Sequence, residues 1–195
     1  MYNHYFLLRH GESTRNLKRI ASSWPEKVKA PLTKKGKGEA KKAANILKNK
    51  KIDLIFASDL LRTKQTAEIV GKALGIKPKT DKRLREVNVG VFNNKPIDDV
   101  AEFWDREGKL SPKEYYGMRF KIAPPKGENY RQLEKRLKSF IKEMERKYKG
   151  NNILIVSHQR PITFIERIFY KYGLDKLVRV IMGKKEIKTG EVKKL

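Results

Sequence analysis

The chain has 195 residues, 38% of them hydrophobic, which predicts one globular unit with a single substantial core. It carries 47 Lys and Arg against 22 Asp and Glu, and this formal charge of +25 favours anionic partners such as phosphate esters, nucleic acid or acidic membranes. Cysteine is absent, which excludes disulfides, thiolate catalysis and cysteine metal sites.

The positive charge has a second interpretation, in which lysines simply cover exposed helix faces. This interpretation is favoured over nucleic-acid binding, so nucleic acid stays a possible but disfavoured partner. No apolar run approaches the length of a membrane span, and residues 1–9 are too short and too charged for a secretory signal. We therefore expect a cytoplasmic protein without a membrane partner, and the sequence gives no indication of oligomeric state.

Strands and helices are predicted to alternate from the start of the chain. Residues 5–8 form an apolar run typical of a strand covered on both faces, and residues 13–18 indicate a short helix. Thr33 is the expected N-cap of the next helix. The apolar stripe of that helix consists of Ala40, Ala43, Ala44, Ile46 and Leu47.

A second buried strand is predicted at residues 52–57. Ser58 and Asp59 are expected to cap a helix from about residue 60 to residue 74, which ends at Gly75. The first half of the chain therefore has the order strand, helix, strand, helix.

Periodicity weakens after residue 81, where aromatic residues appear among mixed charges. We expect an irregular, partly helical lid or insertion at about residues 92–126 of a single domain spanning 1–195. Its aromatic residues are expected to pack in the lid and core rather than to stack on nucleobases. Trp104, Tyr115 and Tyr116 are candidates to line a substrate pocket.

The second half repeats the alternation. A helix is predicted at 129–148, a strand at 153–156, a helix with proline in its first turn at 161–172, and one or two edge strands within 178–192. Alternating strands and helices predict an α/β fold, with a mostly parallel sheet covered by helices on both faces.

Functional groups of such sheets gather where parallel strands end at their carboxyl edge. The first strand leads into Arg9 and His10, the strand at 153–156 leads into His158, and the second strand leads to Arg62 at the start of a helix. Two imidazoles and two guanidiniums are therefore expected to share one pocket. The remaining histidine, His4, has no motif around it and is expected at the surface or at the start of a strand.

This pocket suits a phosphoryl group. Guanidiniums and helix N-termini bind phosphate oxygens, and a neutral imidazole can attack phosphorus as a nucleophile. Glu86 is a candidate proton donor for the leaving alcohol, since partial burial raises the pKa of a carboxyl group.

Arg9-His10-Gly11-Glu12, with Asn16 downstream, resembles the signature of the histidine phosphatase superfamily, which contains the cofactor-dependent phosphoglycerate mutases and their phosphatase relatives. Further stretches are similar to the other motifs of that family, in family order. They are residues 31–36 (PLTKKG), 58–67 (SDLLRTKQTA), 84–86 (LRE) with Gly90, 125–128 (PKGE) and 156–158 (VSH).

The resemblance implies a phosphoglycerate mutase-like, three-layer αβα sandwich in which His10 is the phosphorylated nucleophile. It implies that Arg9, Arg62 and His158 form the phosphate pocket, that Glu86 donates the proton, and that Asn16 assists near the phosphate. It implies neither a metal nor a cofactor.

The chain departs from the family pattern at Gln159, where the family usually has glycine after Ser-His. A side chain is tolerable there only where φ is not positive. Gln159 is therefore kept as a phosphate-binding candidate, with its amide available to the substrate.

The expected function is a metal-independent phosphomonoesterase acting on a small phosphorylated substrate through a phosphohistidine on His10. A phosphoglycerate mutase is the first alternative, disfavoured because only about forty residues separate Glu86 from Gly127. The others are a phosphatase for phosphohistidine or phosphotyrosine in proteins and a non-catalytic basic module that binds anions or RNA. Substrate choice is expected to depend on the lid and on Ser22, Ser23 and Trp24.

Overall fold

A computed structural model describes residues 2–183 and 185–195. Within these residues, five strands form one sheet in the order β3-β2-β4-β1-β5, with β1 to β4 parallel and β5 antiparallel to β1. The strands are β1 (His4–Arg9), β2 (Leu54–Ala57), β3 (Lys79–Thr80), β4 (Asn152–Ser157) and β5 (Val192–Lys194).

Helices connect the strands and cover the sheet. Thr33 caps one of them as predicted, because its Oγ1 accepts a hydrogen bond from Gly36 N at 3.0 Å. None of the helices in the described part of the chain is long and apolar enough to cross a membrane. The helices are α1 (Thr14–Leu17), α2 (Lys34–Leu47), α3 (Leu61–Leu74), α4 (Ile97–Glu102), α5 (Pro112–Lys121), α6 (Tyr130–Lys147), α7 (Gln159–Tyr170) and α8 (Leu174–Met182).

Alternate residues of each strand point to opposite faces of the sheet, which divides the core in two. In β1, Tyr5 and Leu7 pack in the cluster that contains the buried residues of α6 and α7, whereas Phe6 and Leu8 pack with those of α2 and α3. The same alternation holds in β4. The molecule therefore has three layers, helix, sheet and helix, and the fold prediction is confirmed.

Residues 92–126 contain two helices, α4 and α5, joined through aromatic contacts. The rings of Phe103 and Trp104 lie 4.8 Å apart edge to face, and Trp104 also meets Tyr115. Helix α5 packs against α6 and α8. Residues of α4 and α5 also line the cavity described below.

The prediction of edge strands within residues 178–192 was wrong for the first half of that segment. Residues 174–182 form α8, in which Leu177 and Ile181, four residues apart, bury one helical face. A single short edge strand, β5, follows at Val192–Lys194. The stripe of α2 was also wrong at Ile46, which is 55% exposed because the other stripe residues already cover the face that meets the sheet.

The predicted cap of α3 was wrong as well. The helix begins at Leu61, and Leu60 stands at the N-cap position without a side-chain hydrogen bond. The carboxylate of Glu26 accepts from Leu61 N at 2.9 Å and so supplies the capping acceptor. Asp59 instead binds the guanidinium of Arg85 through two hydrogen bonds.

Candidate active site

Three parallel strands bring the chemical residues together at one edge of the sheet. Arg9 at the end of β1 pairs with Ser157 at the end of β4, and His10 N donates to Ser157 O at 3.0 Å. Ser58 follows β2, and its N donates to Val156 O at 3.0 Å. The residues that follow these strands therefore converge.

His10 is held as a neutral imidazole with a defined tautomer. Its Nδ1 lies 2.8 Å from Gly11 O, and a carbonyl oxygen only accepts, so Nδ1 carries the proton. The lone pair is therefore on Nε2, where Arg62 Nε donates at 3.2 Å. Burial, followed by the charges of Arg62 and Arg9, lowers the pKa of His10 well below its usual range. The ring is therefore neutral near pH 7, and its unprotonated nitrogen faces the Arg62 guanidinium.

His158 lies behind His10 and does not itself line the cavity described below. The two rings meet edge to face with centroids 5.1 Å apart. His158 Nε2 lies 2.9 Å from Ser58 Oγ, whereas its buried Nδ1 has no hydrogen-bond partner among the described residues. Burial, followed by Arg62 and His10, lowers the pKa of His158 well below its usual range. Ser58 is therefore a neighbour of His158 rather than a helix cap.

Arg62 reaches the site from the first turn of α3. Its terminal nitrogens donate to Ser22 Oγ at 3.1 Å and to Ser22 O at 2.9 Å, and Glu26 Oε1 lies 3.6 Å away. Burial lowers the pKa of Arg62 to about 10, and the guanidinium stays charged at neutral pH.

The last residues of the chain hold Arg9 in place. Its Nη1 donates to Ile187 O at 3.0 Å, Gly190 N donates to Arg9 O at 3.1 Å, and Arg9 N donates to Glu191 O at 3.3 Å. Arg9 Nε is buried without a hydrogen-bond partner among the described residues, and burial lowers the pKa of Arg9. The guanidinium therefore keeps a donor free at the site.

Glu86 faces the same cavity as the two arginines. Burial raises the pKa of its carboxyl group, against the opposing effects of a 2.8 Å hydrogen bond from Val87 N and of the nearby arginines. A carboxyl group with a raised pKa can hold a proton at higher pH than a solvated one. This property is the one that a proton donor needs.

A clamp formed by Glu128 and Arg136 fixes the backbone around Glu86. Arg136 Nη2 donates to Glu86 O at 3.2 Å and to Glu128 Oε1 at 2.6 Å, and Glu128 Oε1 accepts from Asn88 N at 2.9 Å. Gly90 has φ +56°, and a Cβ there would lie 1.9 Å from Pro125 O. The loop that follows Glu86 and the loop at residues 125–128 therefore pack closely against each other.

The functional residues open onto a cavity of about 350 Å³, within the size range of pockets for small ligands. The cavity is lined by Arg9, His10, Ser13, Arg15, Asn16, Ile20, Ala21, Ser22, Ser23, Arg62, Glu86, Val87, Val89, Ile97, Asp98, Val100, Ala101, Tyr115, Arg119, Gln159 and Arg160.

Two residues that were predicted to contact the substrate form hydrogen bonds within the protein instead. Trp24 does not line the cavity, and its indole Nε1 donates to Glu86 O at 3.1 Å. The amide of Gln159 lines the cavity but donates to Glu186 Oε2 at 3.1 Å, which directs it away from a substrate. Among the aromatic candidates, Tyr115 lines the cavity, and Trp104 and Tyr116 are buried beside it.

Asn16 is exposed at the mouth of the cavity. Its Oδ1 accepts from Ser13 N at 2.9 Å and from Ser13 Oγ at 2.7 Å, which completes the cap of α1. The amide nitrogen of Asn16 has no hydrogen bond to the described residues.

Three arginines that line the cavity, and the clamp of Glu128 and Arg136, were not predicted from the sequence. Arg15, Arg119 and Arg160 lie on segments whose sequence periodicity does not show which side faces the site. The spacing of Glu128 and Arg136 across the start of α6 was a weak signal, because it becomes informative only once the two side chains are known to meet beside the backbone of Glu86. No group of three or more His, Asp or Glu in the described residues is arranged to hold a metal ion.

The profile of the histidine phosphatase superfamily (branch 1) matches residues 5–192. The chain belongs to the histidine phosphatase superfamily. A relative named "Probable phosphoglycerate mutase GpmB" from Yersinia pestis is 35% identical over 153 residues, which cover 78% of this chain and 68% of the relative.

Several solved structures have a fold similar to that of this chain. Mycobacterial glucosyl-3-phosphoglycerate phosphatase complexed with VO3 has a TM-score of 0.82 at 20% identity, covering 98% of this chain and 92% of that one. The alpha-ribazole phosphatase of Shigella flexneri has a TM-score of 0.78 at 22% identity, covering 98% and 89%. YhfR of Bacillus stearothermophilus has a TM-score of 0.75 at 27% identity, covering 90% and 83%.

The departure from the superfamily pattern at Gln159 has a local explanation. Gln159 is the first residue of α7, and it is not among the residues with positive φ. L-residues adopt the negative φ of a helical backbone without strain, so glycine is not required at this position. The N–H groups of the first turn of α7 begin directly after His158, at the edge where a phosphate would bind.

Proposed function

We propose that this protein is a phosphatase that hydrolyses small phosphate monoesters through a phosphohistidine on His10. The observation that carries the proposal is the orientation of His10, whose Nδ1 proton is held by Gly11 O and whose Nε2 lone pair faces Arg62. Gly11 O keeps the proton on Nδ1, so Nε2 is the nitrogen that can attack phosphorus once a bound phosphoryl group takes up the N–H that Arg62 donates to it here.

In the first step, His10 Nε2 attacks phosphorus as the bond from phosphorus to the ester oxygen breaks. The guanidiniums of Arg9 and Arg62, which line the cavity beside His10, balance the charge on the phosphoryl oxygens. Glu86 transfers its proton to the departing oxygen, which leaves as a neutral alcohol.

In the second step, water attacks the phosphorus of the phosphohistidine. Glu86, now a carboxylate, takes a proton from that water, and the bond between phosphorus and Nε2 breaks. Inorganic phosphate leaves, and both His10 and Glu86 return to their starting protonation states. The same carboxyl group thus acts first as an acid and then as a base.

The size of the cavity supports a small substrate. At about 350 Å³ it lies near the lower end of the range for ligand pockets, and the arginines occupy part of its wall. The phosphoryl group takes the end beside His10, and the rest of the cavity has room for a substrate of metabolite size. Metabolite esters fit this space better than a folded phosphoprotein.

A matched pair of histidine variants tests the proposal. His10→Ala should abolish phosphate release from a panel of phosphomonoesters, and rapid acid-free quenching should detect phosphohistidine only in proteins that keep His10. His4→Ala is the control, because His4 is exposed at the start of β1. Equal rates for the two variants, or phosphohistidine in the His10→Ala protein, would show that another group is the nucleophile.

A phosphoglycerate mutase is the second candidate, favoured by the 35% identity to the GpmB relative. A mutase returns the phosphoryl group to the glycerate, whereas a phosphatase passes it to water. Phosphoglycerate isomerisation and phosphate release should therefore be followed in the same reaction. Release that exceeds isomerisation supports the phosphatase, and the reverse order supports the mutase.

A further inference from the structure

Glu186 is a buried carboxylate in the segment that follows α8, and it binds the first turn of α7. Its side chain is 7% exposed, and it is not among the residues that line the cavity. Its Oε1 accepts a hydrogen bond from Arg160 Nη1 at 2.7 Å, and its Oε2 accepts one from Gln159 Nε2 at 3.1 Å. Each carboxylate oxygen therefore holds a different side chain at the edge where a phosphate would bind.

Gln159 is the residue at which the chain departs from the superfamily pattern. Its helical backbone does not require glycine, but a glycine would also leave the space in front of α7 free of any side chain. Glutamine instead places a long side chain with several rotatable bonds beside the N–H groups that follow His158. The hydrogen bond from Gln159 to Glu186, here called the tether, determines where this side chain lies.

An untethered amide in this position competes with a phosphoryl group. Gln159 lines the same cavity as Arg9 and Arg62, and an amide oxygen accepts hydrogen bonds from guanidinium N–H groups, as a phosphate oxygen does. The tether opposes this competition, because a hydrogen bond to an ionised carboxylate is roughly twice as strong as one between neutral groups. Glu186 therefore keeps the amide turned away from the groups that bind phosphate.

The carboxylate of Glu186 is itself held in place. The next residue, Ile187, is buried, and its carbonyl oxygen accepts from Arg9 Nη1 at 3.0 Å. Thr163 Oγ1, one turn further along α7, lies 2.8 Å from Glu186 Oε1. Because Arg160 and Thr163 hold one oxygen of the carboxylate, the other oxygen has a defined position from which it accepts the amide N–H.

We propose that Glu186 is a positioning residue for phosphate binding, which holds the side chain of Gln159 out of the phosphate site. The proposal rests on the phosphatase function, because it concerns the site at which that reaction takes place. Glu186 acts through Gln159 and touches no part of the substrate. Loss of the tether should therefore weaken the binding of phosphate and raise KM, whereas kcat for the reaction at His10 changes little.

Two variants of Gln159 test the tether without removing the ion pair between Glu186 and Arg160. Gln159→Met has a side chain of similar length that cannot donate to the carboxylate, and Gln159→Gly has no side chain to hold. The Kd of inorganic phosphate, measured by calorimetry, and the KM for hydroxyethyl phosphate should be roughly tenfold higher in the Met variant than in the Gly variant, because losing a hydrogen bond to a charged group has about this effect. Equal values for the two variants would show that the side chain needs no tether and would overturn the proposal.

Substitution of Glu186 gives the second test. Glu186→Met should raise the same Kd and KM roughly tenfold and leave kcat within about twofold of wild type. In the Gln159→Gly background the same substitution should change Kd and KM by at most about twofold, because the side chain on which Glu186 acts is gone. An equal loss in both backgrounds would mean that Glu186 acts through Arg160, through Arg9 or through the fold, and the tether would be refuted.

Glu166→Met is the matched control for Glu186→Met. Glu166 is another glutamate next to α7 residues, 13% exposed and paired with Lys193 at 3.1 Å, but it lies outside the catalytic cavity. Its substitution should leave the Kd of phosphate within about twofold of wild type, even where urea denaturation shows a loss of stability similar to that of Glu186→Met. A tenfold rise of Kd in this control would assign the effect to general loosening of α7 and count against the proposal.

The binding measurement separates this proposal from the phosphatase function. Phosphate binding that follows the expected pattern, without hydrolysis of any ester, would refute the phosphatase and support the role of Glu186. Ester hydrolysis with the same KM in Gln159→Met and Gln159→Gly would leave the phosphatase intact and refute the tether.

Discussion

Substitution of Arg136 by lysine is the sharpest probe of how Glu86, the proposed proton donor, is held in place. Arg136 makes four hydrogen bonds, to Arg83 O, Glu86 O and both carboxylate oxygens of Glu128. Its side chain is 16% exposed and that of Glu128 is 10% exposed, so the pair is largely shielded from water. A lysine keeps the positive charge but has a single nitrogen, which cannot reach the carboxylate and both carbonyls together.

The expected loss of stability follows from those contacts. Arg136→Lys retains the ion pair with Glu128 and loses the two bonds to backbone carbonyls, each worth about 1 kcal/mol. The free energy of unfolding should therefore fall by about 2 kcal/mol, less than the roughly 3–5 kcal/mol for removing one partner of a buried pair. Glu86 O keeps its bond from Trp24, so the loop is loosened rather than released.

Two substrates with different leaving groups show whether the loosened loop affects catalysis through Glu86. An alkyl phosphate needs a proton on its departing oxygen, whereas p-nitrophenol leaves readily as an anion. Arg136→Lys should lower kcat/KM for hydroxyethyl phosphate by roughly tenfold or more and leave p-nitrophenyl phosphate nearly unchanged. Urea denaturation measures the stability of the same protein.

Arg146→Lys is the control, because Arg146 lies on the same helix, is exposed and carries the same chemical change. It should unfold at the same urea concentration as wild type. An equal decrease for both substrates in Arg136→Lys, or an unchanged free energy of unfolding, would refute the role given to the clamp.

Three further outcomes are expected. Glu86→Gln should lower kcat/KM for hydroxyethyl phosphate by roughly a hundredfold or more, and by much less for p-nitrophenyl phosphate, because only the first needs the proton. Gly90→Ala should lower the free energy of unfolding by about 2 kcal/mol or more, because φ is +56° and the new Cβ would meet Pro125 O. Gly38→Ala is the control, because Gly38 lies in an open part of α2. It should raise the free energy of unfolding by about 0.5–1 kcal/mol. The free energy of unfolding should also fall as the pH drops below about 6.5, because the unfolded chain protonates histidines that the folded protein keeps neutral.

The size of this pH effect on the free energy of unfolding follows from the histidine pKa values, and a second histidine variant serves as its control. A histidine whose folded pKa is far below its unfolded value loses about 1 kcal/mol of stabilisation between pH 7 and pH 5.5. Glu86 acts in the opposite sense, because its raised folded pKa costs stability as the pH rises above its unfolded value. His10→Gln should therefore have a flatter profile than wild type, and His4→Gln should not. Equal slopes for the two variants would count against a depressed pKa at His10.

The parts of the fold set by local pattern were predictable. Residues 5–8 and 153–156 are continuous apolar runs, and both lie in central strands buried on each face. The position of strand β5 could not be predicted from the sequence. Val192–Lys194 has no apolar pattern, and its position depends on pairing with β1. Edge strands of this length are determined by tertiary contacts rather than by propensity.

The candidate site divides in the same way. The positions of Arg9, His10 and Arg62 after a strand and at a helix start predicted that they share a cavity, and they line one together with Glu86. His158 was expected in the same pocket but lies behind His10. Their catalytic roles stay predictions until variants are measured. Arg119 could not be assigned from sequence, because its position depends on how α5 packs against α6 and α8.

Hydrogen bonds from the guanidinium and the backbone of Arg9 join the end of the first strand to residues 187–191. A ribosome makes Arg9 and His10 early, but the acceptor at Ile187 and the donor at Gly190 are made some 180 residues later. A nascent chain that has not reached Ile187 therefore lacks all of these hydrogen bonds to Arg9. Truncated products of translation would carry the complete signature around His10 and still lack the support of its neighbouring arginine.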